Sequence, residues 1–241
     1  MQTCPKPSFF KSFFCLGMLV TCSVLAQMKG PTIHIVGAMK NVMWKGQLYG
    51  TINLDTIQPK THLYGMGPME NLSGELLVFD GIGYKATVID SIHMQVTSTF
   101  EAKAPFFGYA HIENWNVLQL PDNITNLALL EQYLNQNTLE IKRPFLFKII
   151  GEFESATVHV VHLPKGTLVH SPEEAHQGQT NYTFSHLTGK ILGFFSTTHQ
   201  AIFTHHDTYM HLHLLTDNHN YMGHLDQLQV DPHKIQLYIG I

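Results

Sequence analysis

The stretch "YMHLHLLTDNHNYMGHLDQ" (Tyr209–Gln227) contains two apolar, strand-like segments joined by a polar turn, and histidines recur within both segments. Side chains at positions i and i+2 of a strand project from the same face, so His211 and His213 point together. The next strand begins near His224, and an antiparallel return would bring this residue opposite the pair. Three imidazoles with a fourth position open match the outline of a catalytic zinc site.

Chance is a competing explanation, because the chain has 17 histidines among 241 residues. Random placement alone predicts roughly one His-x-His pair in such a sequence. His205, His206 and Asp207 form another possible ligand set, although adjacent residues of a strand face opposite ways. The spacing of His211, His213 and His224 therefore suggests a metal site without establishing it.

Residues 1–26 have the composition of a secretory signal peptide. Lys6 and Lys11 precede an apolar run, and "VLA" places a small residue, Ala26, before the predicted cleavage site. The run is too short for a membrane span. We therefore expect an exported protein, periplasmic or secreted, with no membrane span after processing. A lipoprotein modified at Cys22 is the less favoured alternative.

The composition narrows the chemistry that the mature chain can perform. All three cysteines lie within the predicted signal peptide, at positions 4, 15 and 22. A transition-metal site in the mature chain must therefore use imidazole and carboxylate ligands. The sequence has 14 basic against 18 acidic residues, and Arg143 is the single arginine. Because no basic patch is available for a phosphate backbone, we expect no binding of nucleic acid.

Beyond residue 32, short β-branched and aromatic segments separated by turn residues predict a β-rich chain. The segment "ELLVFDGIGYKATV" (Glu75–Val88) is a predicted hairpin, because Asp80, Gly81 and Gly83 can adopt the positive φ angles of a tight turn. The other predicted strands are "TIHIVG", "SIHMQVTSTF", "RPFLFKIIGEF", "ATVHVVHL", "TNYTFSHL", "GKILGFFST", "TYMHLHLLT", "GHLDQLQV" and "KIQLYIG".

Few helices are predicted. In "NITNLALLEQYLNQ", leucines recur at helical spacing, and Asn123 or Thr125 can serve as the N-cap. A weaker helix is predicted at residues 38–43. Residues 164–179 are predicted to form a long polar loop.

A carboxylate is a second candidate for the site. The segment "GMGPMENLSGELLVFDG" (Gly65–Gly81) places Glu75 at the head of an apolar strand, after a glycine-rich loop. Polar residues in such positions often line a cleft at the end of a sheet. The alternative is an ordinary solvated glutamate, which the residue type alone favours.

Four segments, in order along the chain, resemble the α-acetolactate decarboxylase family. They are "YGMGPMENLSGELLVFDG" (Tyr64–Gly81), "PFLFKIIGEF" (Pro144–Phe153), "GKILGFF" (Gly189–Phe195) and "YMHLHLLTDNHNYMGHLDQ" (Tyr209–Gln227). The last segment is the most specific, because the interval from His213 to His224 is the one found in the family. The resemblance implies that His211, His213 and His224 are zinc ligands and that Glu75 is the active-site glutamate.

The resemblance also implies a fold and an activity. Family members are two-domain α+β (α/β) proteins, usually dimeric, with a mixed sheet and helices (residues 27–150 here) and a C-terminal antiparallel β-barrel-like domain (residues 151–241). They decarboxylate 2-acetolactate, a small 2-hydroxy-3-oxo acid, to acetoin and carbon dioxide. A zinc ion would stabilise the enediolate formed as carbon dioxide leaves, and Glu75 would relay the proton. A homodimer is accordingly a further expectation.

Three residues depart from the family pattern. The family's active-site arginine falls on His159, a second arginine falls on Lys148, and a threonine of the glycine-rich loop falls on Pro68. Histidine cannot supply the bidentate, permanently charged clamp that arginine provides for a carboxylate. Two alternatives to acetolactate decarboxylation therefore stay open: an exported, non-catalytic protein that binds metal and ligand, and a different metal-assisted reaction at the same site.

Overall fold

The computed structural model describes residues 1–2, 30–204 and 207–241, so that nearly all of the predicted signal peptide, and His205 and His206, lie outside the described residues. The helices are α1 (Met39–Lys45), α2 (Leu127–Asn137) and α3 (Pro172–Ala175). The strands are β1 (His34–Val36), β2 (Ile52–Asn53), β3 (Leu63–Pro68), β4 (Glu75–Phe79), β5 (Ile82–Val88), β6 (Met94–Ser98), β7 (Lys103–Ala104), β8 (Phe107–His111), β9 (Trp115–Leu118), β10 (Phe145–Val160), β11 (Thr180–Phe195), β12 (Met210–Thr216), β13 (Met222–Gln229) and β14 (Ile235–Gly240).

Within the described residues, the strands form two six-stranded antiparallel sheets and a two-stranded ribbon, β2–β7. The first sheet has the order β1-β8-β3-β4-β5-β6. The second has the order β11-β12-β13-β10-β14-β9, and β11 also pairs with β10. The predicted α+β class, with mostly strands and few helices, is confirmed. The closure of the C-terminal strands into a barrel stays a prediction.

Two long strands form the centre of the second sheet. β10 and β11 each contain 16 residues and pair along their whole length, from Phe145 opposite Phe195 to Val160 opposite Thr180. The sequence predicted each of them as two separate strands. The prediction divided β10 near Gly151 because the apolar pattern of the sequence is interrupted there. In the structure the pairing of β10 with β11 continues through Gly151, which lies opposite Gly189. The predicted domain boundary after residue 150 falls inside β10, and the division into two domains stays a prediction.

The predicted glycine-rich loop before Glu75 is in part a strand. β3 is buried at all six residues and pairs with β4 and β8. A Cβ atom on Gly67 would lie 2.4 Å from the carbonyl oxygen of Phe106, so this glycine permits a close approach between strands. The prediction of a loop was wrong here, because the glycines were interpreted as turn residues.

Both predicted helices are present, with one boundary corrected. α2 begins after Asn126, whose side chain accepts a hydrogen bond from the backbone N–H of Leu129, so the N-cap is neither of the two residues predicted. The segment predicted as a polar loop contains the single turn α3. Ser171 caps this turn by accepting from the backbone N–H of Glu174.

The main apolar core lies between the two six-stranded sheets. Met66 and Leu77 of the first sheet belong to one buried cluster with Ile191 and Leu214 of the second. A smaller cluster lies beneath α1 and α3, and it contains Met39, Val42, Met43, Leu72, Phe106, Val161, Leu163, Val169 and Ala175. This smaller cluster lies beside the histidines, because the ring centroid of Phe106 is 6.4 Å from that of His211.

Replacing Gly223 by alanine is expected to destabilise the fold by about 2 kcal/mol. A Cβ atom at this position would lie 2.5 Å from the carbonyl oxygen of His159, which is a backbone atom of the adjacent strand. Urea unfolding measures the change in the free energy of unfolding. Gly30→Ala is the control, because its Cβ would have no atom within 4 Å. Equal stability of the two variants would contradict the close approach of β13 to β10.

Candidate metal centre

His211, His213 and His224 lie on two adjacent strands of the second sheet. His213 of β12 is directly opposite His224 of β13, and His224 is in turn directly opposite His159 of β10. His211 lies two residues before His213 and therefore shares its face. The cross-strand arrangement predicted from the hairpin is confirmed, and a fourth imidazole follows on the next strand.

The three imidazoles are close enough to share one ion. His211, His213 and His224 each offer a ring nitrogen within 4.8 Å of the others, and all three residues are buried. Their ring centroids lie 5.1 Å (His211–His213), 4.9 Å (His211–His224) and 5.6 Å (His213–His224) apart. The group could therefore hold a metal ion. Its assignment as the ligand set stays a prediction.

The chemistry of His213 fits a bound cation. Its side chain is completely buried, and neither ring nitrogen has a hydrogen-bond partner of normal geometry among the described residues. A buried ring nitrogen that lacks a well-formed hydrogen bond is costly. Coordination of a metal would satisfy one of these two nitrogens, and neutral imidazole is a preferred ligand of zinc, copper, iron and nickel.

Glu75 of the first sheet faces the same cluster. The residue before it, Gly74, has φ +159°, and a Cβ there would lie 2.2 Å from the carbonyl oxygen of Ala86. The Glu75 side chain is buried, and its Oε2 lies 3.5 Å from Nε2 of His213. The backbone N–H of Val161 donates to Oε1 at 3.4 Å. Glu75 is therefore a buried group at the junction of both sheets, and the interpretation as a solvated strand-end glutamate was wrong.

Burial favours the neutral forms of both groups in the metal-free protein. Burial raises the pKa of Glu75 well above its ordinary value, the N–H of Val161 opposes this shift, and the charge of Asp226 adds to it. Burial also lowers the pKa of His213 well below its ordinary value, and charge on His211 and His159 acts in the same direction. A bound cation would favour the neutral form of His213 further, and it would lower the pKa of Glu75 from this raised value.

His159 extends the row of imidazoles toward an open cleft. Its ring stacks on His224 with centroids 4.7 Å apart, and the ring of His176 meets it edge-on at 6.0 Å. Nδ1 of His159 lies 2.9 Å from both carboxylate oxygens of Asp226. His159, His176 and Asp226 line a cleft of about 410 Å³, whose apolar wall includes Met39 and Trp44. His159 thus lies between the cleft and the three histidines.

The two other basic residues considered from the sequence lie elsewhere. Nζ of Lys148 packs 4.1 Å from the ring of Trp115 and 5.3 Å from that of Tyr238. The guanidinium of Arg143 donates to the carbonyl oxygens of Thr138 and Ile141, in the connection that follows α2. Both cations thus lie against other groups, whereas His159 of β10 stacks on His224.

Two residues of the cleft were missed by the sequence interpretation. Asp226 lies two residues after His224, but it is the extra residue of a bulge in β13, which strand alternation does not predict. His176 belongs to the segment predicted as a polar loop, and only the structure brings it to the cleft. Burial lowers the pKa of His176, and a hydrogen bond to the carbonyl oxygen of Pro172 opposes this shift.

The raised pKa of Glu75 predicts a pH-dependent effect on the stability of the metal-free protein. In the unfolded chain Glu75 ionises above about pH 4.5, whereas the folded protein keeps it protonated, so stability is lost as pH rises toward the folded pKa. Glu75→Gln removes this loss. We expect the variant and the wild type to differ least near pH 4 and the variant to be the more stable at neutral pH.

Thermal unfolding of the metal-free proteins at both pH values measures this difference. Glu154→Gln is the matched control, because Glu154 is an exposed residue of β10. Its melting temperature should follow that of the wild type at each pH. A Glu75→Gln difference that is the same near pH 4 and at neutral pH would contradict a raised pKa.

A buried three-histidine cluster beside a buried glutamate, next to a cleft, defines a candidate mononuclear metal centre of the catalytic type. The chain matches the model of the alpha-acetolactate decarboxylase family over residues 33–240. It belongs to this family. The family resemblance carried by the four motifs is therefore confirmed.

Two curated relatives are alpha-acetolactate decarboxylases. That of Brevibacillus brevis is 25% identical over 205 residues, which cover 82% of this chain and 66% of the relative. That of Methanosarcina mazei is 26% identical over 173 residues, which cover 71% of this chain and 58% of the relative. The chain thus spans less than two thirds of the length of either relative.

Solved structures share the fold. The alpha-acetolactate decarboxylase of Bacillus subtilis strain 168 superposes with a TM-score of 0.70 and 21% identity, over 86% of this chain and 84% of that one. A Staphylococcus aureus protein of unknown function, similar to alpha-acetolactate decarboxylase, gives a TM-score of 0.69 and 19% identity over the same shares. Among the described residues, none of the helices combines the length and the apolar character that crossing a bilayer requires.

Proposed function

We propose that the protein is a zinc-dependent decarboxylase that converts 2-acetolactate, or a close 2-hydroxy-3-oxo acid, to acetoin and carbon dioxide. The observation that carries this proposal is the buried carboxyl group of Glu75, with Oε2 3.5 Å from Nε2 of His213. An acid and an imidazole of the proposed ligand set, from two different sheets, meet there. Membership of the alpha-acetolactate decarboxylase family supports the same reaction.

Each group has a definable task in this reaction. His211, His213 and His224 would hold the metal, and a metal bound there supplies a Lewis acid for the charge that develops as carbon dioxide leaves. The bond between C2 and the carboxylate breaks, and its electron pair is delocalised onto the neighbouring ketone as an enediolate. Protonation of C2 then gives acetoin.

Glu75 is the residue that we assign to the proton transfer. It is buried, so bulk water does not compete for its proton, and it lies beside the cluster where the substrate would bind. The backbone N–H of Val161 fixes one carboxylate oxygen. His159 lies at the wall of the cleft, where it would contact the polar end of the substrate. The apolar wall formed by Met39 and Trp44 would exclude water from the bound molecule.

The test is acetoin formation from racemic acetolactate by purified, zinc-loaded protein. Free zinc at the same concentration and the metal-free protein are the controls. The proposal predicts turnover above both controls and dependence on added metal. Turnover no greater than that of free zinc would contradict it. Zinc, nickel, copper and iron should be compared, because three-histidine sites accept each of them.

A second candidate is a non-catalytic protein that binds a metal and a small ligand. The observation that favours it is His159, which stands where the family has an active-site arginine and cannot form a bidentate pair with a carboxylate. Stoichiometric metal and tight binding of acetolactate without carbon dioxide release would support this candidate. Turnover of another substrate would instead indicate a different metal-assisted reaction.

Export is part of the proposal. Residues 1–26 have the composition of a secretory signal. Sequencing of the mature N-terminus after expression in a secreting host tests it, and a chain that begins at Gln27 is expected. A chain retained with its first 26 residues would contradict export by this route.

A further inference from the structure

The strand β13 has a bulge beside the three histidines. Its pairing with β10 shifts by one residue between Thr157 and Val158, which leaves Asp226 as the extra residue of β13. Bulges re-aim a side chain and are frequent next to active sites. Here the carboxylate of Asp226 reaches the neighbouring strand, and both of its oxygens lie 2.9 Å from Nδ1 of His159.

The ring of His159 is held from three directions. It stacks on His224 with an interplanar angle of 25°, and the ring of His176 stands against it at 84°. Among the described residues, all hydrogen bonds of the His159 side chain go to Asp226. A carboxylate accepts and does not donate, so Nδ1 carries the proton. The partner of one ring nitrogen fixes the role of the other, and Nε2 is left for a ligand.

His159 lies at a position where its tautomer affects the binding of a ligand. The side chain is almost fully buried, yet the residue lines the cleft of about 410 Å³ that lies next to the metal cluster. Asp226 lines the same cleft. A ligand that reaches the cluster from this cleft passes the ring of His159. The tautomer of that ring therefore decides whether the ligand meets an acceptor or a donor.

We propose that Asp226 is a positioning residue that holds His159 with Nδ1 protonated, so that Nε2 accepts a hydrogen bond from the hydroxyl group of a 2-hydroxy-3-oxo acid. This inference rests on the proposed function for the identity of the ligand. It adds a basis for selectivity, because an oxo acid without the 2-hydroxyl group offers no donor to Nε2. In this proposal Asp226 acts on the ligand through His159, because both of its carboxylate oxygens lie 2.9 Å from Nδ1 of that ring.

A double-mutant cycle with two readouts tests the proposal. Asp226→Ala, Asp226→Asn, His159→Ala and the double alanine variant are compared with Gln227→Ala, a matched control because Gln227 is the exposed neighbour of Asp226 on the same strand. The first readout is the ¹⁵N shifts of the His159 ring at a fixed pH, which report the tautomer without any turnover. The second is the KM and kcat for acetolactate, with zinc content measured in every sample.

Asp226→Ala should convert His159 from the Nδ1–H form to a mixture of tautomers and raise KM roughly 10-fold, with zinc content unchanged. Asp226→Asn replaces one carboxylate oxygen by an NH2 donor, which stabilises the Nε2–H form, so this variant should also shift the tautomer and raise KM. In the His159→Ala background the Asp226→Ala change should have no further effect. Gln227→Ala should resemble the wild type.

Three outcomes would overturn the proposal: an unchanged tautomer in Asp226→Ala, an equal rise in KM when His159 is already alanine, or loss of zinc on removal of Asp226. The tautomer readout separates this inference from the proposed function. If no variant or wild-type sample releases carbon dioxide, the proposed function fails, and the ¹⁵N shifts still decide whether Asp226 positions His159.

Discussion

His213→Ala is expected to lose stoichiometric zinc and, with it, acetoin formation. Three imidazoles surround the proposed ion, and removal of one leaves two ligands, His211 and His224, which cannot define a tetrahedral site alone. The fall in activity should exceed the roughly 100-fold that loss of a supporting residue causes. Zinc content after gel filtration and the acetoin assay are the two measurements.

The control for this variant lies in the same hairpin. His219 is exposed in the turn between β12 and β13, so His219→Ala should keep its zinc and its activity. Because His213 is completely buried, alanine at this position also leaves a cavity. His211→Ala should therefore be measured in parallel, with circular dichroism as a check of the fold. Stoichiometric zinc in a folded His213→Ala or His211→Ala protein would contradict the ligand assignment.

Glu75→Gln is expected to lower acetoin turnover by about 100- to 10,000-fold while zinc remains bound. Glutamine has nearly the same shape and can still accept the hydrogen bond from Val161, but it has no exchangeable carboxyl proton for C2. The effect should fall on kcat, because the lost interaction belongs to the proton transfer step. Steady-state kinetics of the zinc-loaded variant measure it.

Zinc content separates a loss of proton transfer from damage to the metal site. Glu75→Gln should bind as much zinc as the wild type, whereas His213→Ala should not. Glu154→Gln, at an exposed position of β10, should keep full activity. A Glu75→Gln protein with wild-type kcat would show that another group delivers the proton, and our assignment of Glu75 would be wrong.

The local pattern of the C-terminal hairpin could be predicted because a strand has a simple period. Alternation placed His211 and His213 on one face, and the polar turn required an antiparallel return that brought His224 opposite. The β4–β5 hairpin could be predicted equally well, since Asp80 and Gly81 do adopt positive φ, although Gly83 does not and belongs to β5. In both cases the contacts join residues that are close in sequence.

Contacts between distant segments could not be predicted in this way. Glu75 meets His213 across the interface of the two sheets, and the sequence pattern contains no information on how the sheets pack. β3 was missed because its glycines serve a close approach between strands and not a turn. Asp226 reaches His159 through a bulge, and a single extra residue in a ladder leaves no mark on an apolar pattern.

The most direct test of the central claim, that the three histidines bind the metal beside Glu75, is anomalous X-ray diffraction at the zinc edge from crystals of the zinc-loaded protein. Our account predicts one strong anomalous peak among the ring nitrogens of His211, His213 and His224, on the side that Glu75 faces. A zinc-loaded crystal whose only peaks lie at other histidines would contradict it.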